Sequence, residues 1–213
     1  MAVKNDREYR DMTMEVRTAE NEEAPEERIV VTGYASTFNE PYTLYEDDGW
    51  RFNEVVDNRA FENTDMSDVI MQYDHEGRVF ARMSNNTLTV TPDEKGLLIE
   101  ADLGGTELGR QLFEEIRGGY TNKMSFGFAV DGEDYLDTKD VDGKALTVRT
   151  ITSVRKLYDV SAVSLPANDA TSISVRSLTD GEIERIRAER LEAEALELRR
   201  RKLLVKAKLN GGQ

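Results

Sequence analysis

The sequence predicts a mostly β domain of the α+β class, with antiparallel strands and one clear helix, followed by a charged helical tail. Short segments rich in Val, Ile, Thr and aromatic residues recur between turn residues over residues 9–165. Residues 106–117 interrupt them with apolar side chains at helical spacing. From residue 179 the composition becomes strongly charged, so the chain is divided into a domain at 1–178 and a tail at 179–213.

The composition limits the classes of function. The 213 residues include 42 acidic and 28 basic side chains, one histidine and no cysteine, which excludes disulfide scaffolds, zinc–thiolate sites and thiol catalysis. A net charge of −14 disfavours nucleic acid as a direct ligand, and it serves either solubility alone or a basic partner. The sequence shows no apolar run of membrane-span length and no signal peptide, which predicts a soluble, intracellular protein.

The first half of the domain is predicted to consist of short strands. Residues 9–16 alternate in polarity, and the acidic segment 20–27 is typical of a solvated loop before a β-branched strand at 29–38. Four further strands are separated by turn residues, at 69–73, 79–83, 87–91 and 96–103.

The second half combines a helix with two longer strands. A helix is predicted over 106–117, where Gly118 and Gly119 end the apolar spacing. Strands are predicted at 123–130 and at 147–165, the second of them interrupted near 153–155. The acidic residues 131–143 between the two strands are predicted to form a loop.

The tail is predicted to be one helix with a narrow apolar stripe. Thr179 or Asp180 can cap it, and Glu182 stands three residues after Thr179 as in a capping box. Seven acids and three bases over 180–198 give −4, whereas residues 199–208 carry +6, the polarity that a helix dipole favours. We expect an appended helix rather than part of the core.

No metal or cofactor is expected. Asp140, Asp142 and Gly143 partly match a calcium-binding loop, but its first and twelfth ligand positions fall on Thr138 and Arg149. One histidine without cysteine makes a transition-metal site improbable, and no glycine-rich phosphate-binding motif occurs.

His75 is the first candidate for proton transfer, because histidine is the side chain that ordinarily changes charge near neutral pH. A lone histidine is more often a surface or packed residue, so it is weak evidence by itself. If residues 69–75 are extended, His75 shares a face with Val69, Met71 and Tyr73 and lies at the edge of an apolar surface.

Ser125 and Asp159 are two further polar residues in apolar strands. Alternation over 123–130 predicts one core face and a second, small-residue face that begins with Ser125, as a groove for an extended peptide would require. A solvent-facing serine on an edge strand is the alternative. Asp159 is expected to share a face with Leu157 and Ser161, where its carboxylate needs either His75 or a base such as Arg155 or Lys156.

Five segments in order resemble the prohead (procapsid) maturation proteases of tailed bacteriophages, serine peptidases related in fold to the herpesvirus assemblin proteases. The resemblance covers about residues 29–178. It rests on Gly33-Tyr-Ala-Ser-Thr-Phe-Asn39, Tyr73-Asp-His75, Gly96-Leu-Leu-Ile-Glu-Ala-Asp-Leu103, Lys123-Met-Ser-Phe-Gly-Phe128 and Tyr158-Asp-Val-Ser-Ala-Val-Ser-Leu-Pro-Ala-Asn168.

The resemblance implies an antiparallel, β-barrel-like protease domain of assemblin type with a serine nucleophile. The family's nucleophile falls on Ser125, its base on His75, and its acid on Asp159, where many relatives carry Glu. The implied substrates are scaffold, or the scaffold-like part of the major capsid protein, and the protease itself, including a tail that self-cleavage can remove. The implied partners are these capsid components and other copies of the chain, inside the prohead assembling in the host cytoplasm, without nucleic acid or membrane.

A second hypothesis is that the chain has the protease fold but no peptidase activity. A catalytically inactive capsid-assembly or scaffolding protein would use the helical tail to co-assemble with scaffold. Time-dependent self-trimming of the purified chain distinguishes the two hypotheses.

Overall fold

The computed structural model describes residues 7–13, 17–18, 29–164 and 179–210. Residues 1–177 and 178–213 form two separate compact units. In the described residues, the first unit is mostly β with one α-helix, and the second contains one long helix, as the sequence predicted. The predicted acidic loop at 20–27 and the end of the strand predicted to reach residue 165 lie outside the described residues.

Eleven strands and two α-helices occur in the described part of the chain. The strands are β1 (Glu8–Thr13), β2 (Arg17–Thr18), β3 (Val30–Thr37), β4 (Tyr42–Glu46), β5 (Trp50–Val56), β6 (Ile70–Tyr73), β7 (Glu76–Arg82), β8 (Leu88–Pro92), β9 (Gly96–Asp102), β10 (Lys123–Lys139) and β11 (Ala145–Val163). The helices are α1 (Glu107–Arg117) and α2 (Thr179–Asn210).

The strands form two open sheets rather than a closed barrel. The larger sheet has the order β1-β10-β11-β5-β4, with β6 paired to β11 and β7 paired to β6, and the smaller sheet has the order β2-β3-β9-β8. The barrel implied by the family resemblance is therefore not confirmed. The larger sheet is mixed and not purely antiparallel, because β5 and β6 both run parallel to successive parts of the long strand β11.

The hydrophobic core is built from the inward faces of the strands and one face of α1. Met124, Phe126 and Phe128 are fully buried, as alternation along β10 predicted, and the two phenyl rings stack with centroids 4.5 Å apart. Each buried side chain of this size stabilises the fold by roughly 1.5–3 kcal/mol. The first half of β10, which bears Ser125, is thus fixed to the core along one face.

Helix α1 begins and ends close to the predicted positions. The hydroxyl of Thr106 accepts a hydrogen bond from the backbone N–H of Gly109 at 2.9 Å, which caps the first turn. Leu112 and Ile116 are buried, whereas Leu108 is 39% exposed and does not belong to the core.

One prediction about the C-terminal strands is wrong, and another is confirmed in part. Residues 131–139 are not a loop, because β10 continues to Lys139 and pairs with β11 along its length. Strand β11 continues as one strand through 153–155, but its register with β10 shifts there at β-bulges, so the predicted interruption is present as an irregularity and not as a break. A strand of acidic residues is stable here because β11 completes its backbone hydrogen bonds, while most of its side chains face solvent.

Candidate active site

His75 lies in a tight turn and not on an extended strand. Tyr73 pairs with Glu76 across the β6–β7 hairpin, so Asp74 and His75 are its two turn residues. Both have positive φ, 48° and 60°, as a two-residue type I′ turn requires. The expectation that His75 continues the apolar face of the strand is therefore wrong, because β6 ends at Tyr73.

Asp74 fixes this turn to the end of β11. Its backbone N–H donates to the carbonyl oxygen of Ala162 at 3.0 Å. Its carboxylate accepts from the backbone N–H and the hydroxyl of Ser164, each at 3.0 Å. Two successive non-glycine residues with positive φ cost on the order of 1–3 kcal/mol each, and these bonds help to offset that strain. His75 is thereby held beside the strand that carries Asp159.

Ser125 and Asp159 lie on adjacent strands and point to the same side of the sheet. Ser125 is paired with Ser161, and Gly127 with Asp159. Directly opposite residues of two strands project from the same face, so these four residues share one surface.

A β-bulge decides which way Asp159 points. Gly127 pairs with Asp159, and Phe128, which follows Gly127 on β10, pairs with Leu157, so Tyr158 is an extra residue on β11. Leu157 therefore faces the core with Phe128, and Asp159 faces the opposite side. The expectation that Asp159 and Leu157 share a face is wrong.

The structure brings the three predicted residues into contact. The Nε2 atom of His75 is 2.5 Å from the Oγ of Ser125, and its Nδ1 atom is hydrogen-bonded to Oδ1 of Asp159. The hydroxyl of Ser161 donates to the same carboxylate oxygen at 3.0 Å. With the Nδ1 proton donated to Asp159, the Nε2 lone pair is available to accept the proton of the serine hydroxyl.

The site is closed in this conformation. Ser125 and Asp159 are 0% exposed, and the side chain of His75 is 14% exposed. Both edges of β10 are also occupied at Ser125, by Asp11 of β1 and by Ser161 of β11. The expectation of an exposed small-residue face is therefore wrong here, since neighbouring strands and side chains cover that face.

Two site residues were not predicted from the sequence, Arg7 and Tyr9. The guanidinium of Arg7 forms an ion pair with Oδ2 of Asp159, and the ring of Tyr9 lies 4.4 Å from that of His75 between centroids. Asp159 thus contacts both a histidine and a base, but the base is neither of the two named candidates. Lys156 instead pairs with Asp65 at 2.8 Å.

Arg7 is held between two aromatic rings. Its Cζ atom is 4.7 Å from the ring centroid of Tyr158 and 5.1 Å from that of Tyr9. Burial lowers the pKa of the Arg7 guanidinium, against the opposing influence of the two tyrosines. Arginine nevertheless keeps its charge at neutral pH. No periodicity marks Arg7, because it precedes the predicted strand and contacts a residue 152 positions away (159 − 7).

The acidic turn that partly matched a calcium loop has a different arrangement. The Oδ1 atom of Asp140 accepts the backbone N–H groups of Asp142 and Lys144, at 3.0 and 2.9 Å. This carboxylate therefore closes the β10–β11 turn. Within the described residues, no three histidine, aspartate or glutamate side chains come together as metal ligands.

Comparison with known proteins gives one match. The sequence profile of the caudovirus prohead serine proteases matches residues 13–185 of the chain. Neither the comparison with curated proteins nor that with solved structures gave a match. The matched range contains His75, Ser125 and Asp159, and it excludes Arg7 and Tyr9. Among the described helices, none is long and apolar enough to cross a membrane.

Proposed function

The chain belongs to the caudovirus prohead serine protease family, since the match covers most of its length, and we propose that it is an active serine endopeptidase of phage prohead maturation. We further propose that Ser125 is its nucleophile, His75 its general base and Asp159 the acid that orients His75. The family membership supports the reaction class, and the geometry of the site supports the roles.

The observation that carries the proposal is the position of His75 between Ser125 and Asp159. One imidazole nitrogen is within hydrogen-bond distance of the serine hydroxyl, and the other is bonded to a fully buried carboxylate. An inactive assembly protein would not need this arrangement. A turn with two strained residues and a fully buried carboxylate would only reduce its stability.

The proposed reaction proceeds in two halves. In the first, Ser125 Oγ bonds to the scissile carbonyl carbon while Nε2 of His75 takes the hydroxyl proton. That proton passes to the leaving amine as the C–N bond breaks, which leaves an ester on Ser125. In the second half, His75 takes a proton from water, the resulting hydroxide attacks the ester, and the proton returns to Ser125 Oγ. Asp159 accepts the Nδ1–H bond throughout and stabilises the transient imidazolium.

The proposed substrates are scaffold or the scaffold-like part of the major capsid protein, and the chain itself. Family membership supports this assignment and the assembling prohead in the host cytoplasm as the place of action. Because Ser125 is covered, we expect the side chains above it to move when a peptide binds.

Self-trimming tests the proposed function. We would incubate purified wild-type chain and follow its length by gel electrophoresis and intact mass. The Ser125→Ala chain serves as the control, and it should fold, since it loses one hydroxyl with a hydrogen bond worth about 1 kcal/mol. We expect trimming by wild type alone, and trimming of Ser125→Ala when catalytic amounts of wild type are added. An intact wild-type chain, or trimming by Ser125→Ala alone, would refute the proposal, and the first outcome would favour the inactive assembly protein.

A further inference from the structure

We propose that Arg7 and Tyr9 are positioning residues of the catalytic site, with Arg7 holding the Asp159 carboxylate and Tyr9 holding the His75 ring. The inference rests on the proposed function and extends it to two residues that precede the matched range. The match begins at residue 13, after both side chains, so membership of the family assigns them no role.

The register of β1 explains how Arg7 reaches Asp159. Strand β1 pairs antiparallel with β10, and Tyr9 is opposite Gly127, which is itself opposite Asp159 on the next strand. The Arg7 side chain therefore crosses β10 to reach Asp159 on β11. A Cβ atom at Gly127 would overlap Oδ2 of Asp159 and would lie 2.9 Å from Nε of Arg7. A glycine at this position leaves the space in which the ion pair forms.

The two carboxylate oxygens of Asp159 have different partners. Oδ1 accepts from His75 and Ser161, and Oδ2 pairs with Arg7. In the resting site His75 must be neutral to act as a base, so the positive charge that compensates the buried carboxylate comes from Arg7. A buried carboxylate without such a partner is strongly unfavourable and would attract a proton to the neighbouring imidazole.

Other charged groups around the site are paired elsewhere. On β11, Lys156 contacts the Tyr158 ring at 5.6 Å but forms its ion pair with Asp65. In the His75 turn, the carboxylate of Asp74 is bonded to Ser164. Within the described chain, Arg7 is the cation in ion-pair contact with Asp159.

The opposite face of β1 anchors the strand. Glu8 and Arg10 alternate with Arg7 and Tyr9, and they join a buried ion-pair cluster with Glu54 and Arg149. Arg10 donates to both oxygens of Glu54, and Arg149 donates to Glu54 at 2.7 Å and to Glu8 at 2.8 Å. All four residues are at most 6% exposed. Burial alone would raise the pKa of Glu54, but Arg10 and Arg149 hold it below its ordinary value.

Alternation along β1 therefore gives the strand two functions. One face fixes it to β5 and β11 through the ion-pair cluster, and the other presents Arg7 and Tyr9 to the catalytic residues. The cluster is the reason that a short N-terminal strand can position side chains with the accuracy that catalysis requires.

The test measures how fast a fluorophosphonate reacts with the full-length chain as a function of pH. This probe needs no knowledge of the substrate and reports a serine activated by a base. Rates would be measured from about pH 5 to 9. The rate should rise with pH as the base loses one proton, and the position of this rise, the limb of the pH–rate profile, reports the base. The variants are Arg7→Gln and Arg7→Lys, and Arg59→Gln is the matched control, because Arg59 is an exposed arginine paired with Asp57.

We expect Arg7→Gln to react about 10- to 100-fold more slowly at neutral pH, by analogy with the loss on removing partners that orient metal-binding side chains. Its limb should also move to higher pH by roughly one unit, because the unpaired carboxylate stabilises the imidazolium. Arg7→Lys keeps the charge and should keep the limb near its wild-type position, with a smaller loss of rate from lost stacking. Arg59→Gln should match wild type in both respects.

Tyr9→Leu and Tyr9→Phe give an independent test of the second residue. Leucine removes the ring that contacts His75, so the rate should fall, whereas phenylalanine keeps the ring and should stay within a few-fold of wild type.

Failure of wild type to react at Ser125 would refute the proposed function itself. With a reactive wild type, an unchanged rate and limb in Arg7→Gln would refute only the present inference. A slower reaction without a shift of the limb would show that Arg7 merely stabilises the fold. A faster reaction would show that β1 covers the site instead of organising it.

Discussion

Replacement of Asp159 by asparagine should slow peptide cleavage by about 10⁴-fold, as the same change does in the serine-protease triad of other folds. The structure explains why neither orientation of the amide would work. If the NH₂ group faces His75, the ring must present a protonated Nε2 to Ser125 and cannot accept its proton. If the NH₂ group faces Arg7, two donors oppose each other where an ion pair stood.

The magnitude follows from two losses. A factor of 10⁴ corresponds to about 5 kcal/mol of transition-state stabilisation, which is the combined loss of the correct tautomer and of the charge beside the imidazolium. Folding should suffer less, by about 1–3 kcal/mol, because Arg7 is 22% exposed and can turn toward water. Any residual limb should move to lower pH, in the opposite direction from Arg7→Gln, because the carboxylate no longer stabilises the imidazolium.

The assay uses the Ser125→Ala chain as a substrate in trans. Initial cleavage rates by wild type, Asp159→Asn and Asp159→Glu would be compared at several pH values, with thermal unfolding recorded for each. Glutamate keeps the charge, so its loss should be smaller, about 10- to 100-fold, since one methylene must fit beside Ser161 and Arg7. An Asp159→Asn enzyme within tenfold of wild type would show that Asp159 does not orient the base.

Three further outcomes are expected. Glu54→Gln should lower the free energy of unfolding at neutral pH by about 3 kcal/mol in urea titrations. Because the pKa of Glu54 is held low, wild type should lose this contribution as pH falls below about 4, whereas the variant has none to lose. Equal acid sensitivity of the two proteins would contradict the ion pairing of Glu54. Deletion of residues 179–213 should leave the β domain folded by circular dichroism and active on a substrate in trans. The truncated protein should be absent from assembled proheads. An insoluble product would show that the helix completes the core. Gly127→Ala should remove most fluorophosphonate reactivity while Ala129→Gly retains it, and full reactivity of Gly127→Ala would mean that the ion pair tolerates a Cβ atom.

The parts of the fold with a clear polarity pattern were predictable from the sequence. Alternation of Met124, Phe126 and Phe128 predicted the core face of β10, and the apolar spacing ended by Gly118 predicted α1. The order of the strands in the sheets was not predictable, because pairing of segments far apart in the chain leaves no local pattern. Parallel contacts of β5 and β6 with β11 are of this kind.

Strands β4 and β5 and the second half of β10 were not predicted from the sequence, and for β5 and β10 the reason is polar residues at strand positions. Strand β5 alternates between buried and partly exposed residues, but one buried position is Glu54, whose charge is compensated by Arg10 and Arg149 rather than by exposure. The second half of β10 has no apolar face at all, since β11 alone defines it. The partners of Glu54 are distant in sequence, and the acidic half of β10 is stabilised by its hairpin pairing with β11, so neither strand has a complete local apolar pattern.

The candidate site was predictable as a set of residue types and not as a geometry. Ser125, His75 and Asp159 were named as candidates from the sequence, with His75 as a possible partner of Asp159, but the local backbone or exposure predicted for each was wrong. His75 occupies a strained turn, Ser125 is covered, and the extra residue Tyr158 turns Asp159 away from Leu157. A single inserted residue reverses the face of a strand, and no periodicity reveals it.

The most direct test of the central claim locates the fluorophosphonate adduct by mass spectrometry of the digested protein. The phosphonyl group forms a bond to the oxygen of an activated serine and displaces fluoride, so the labelled peptide identifies the nucleophile. We predict a single adduct on Ser125 in wild type and its loss in His75→Gln, with both proteins folded. An adduct on another serine, or undiminished labelling of Ser125 without His75, would contradict the assignment of this pair as nucleophile and base.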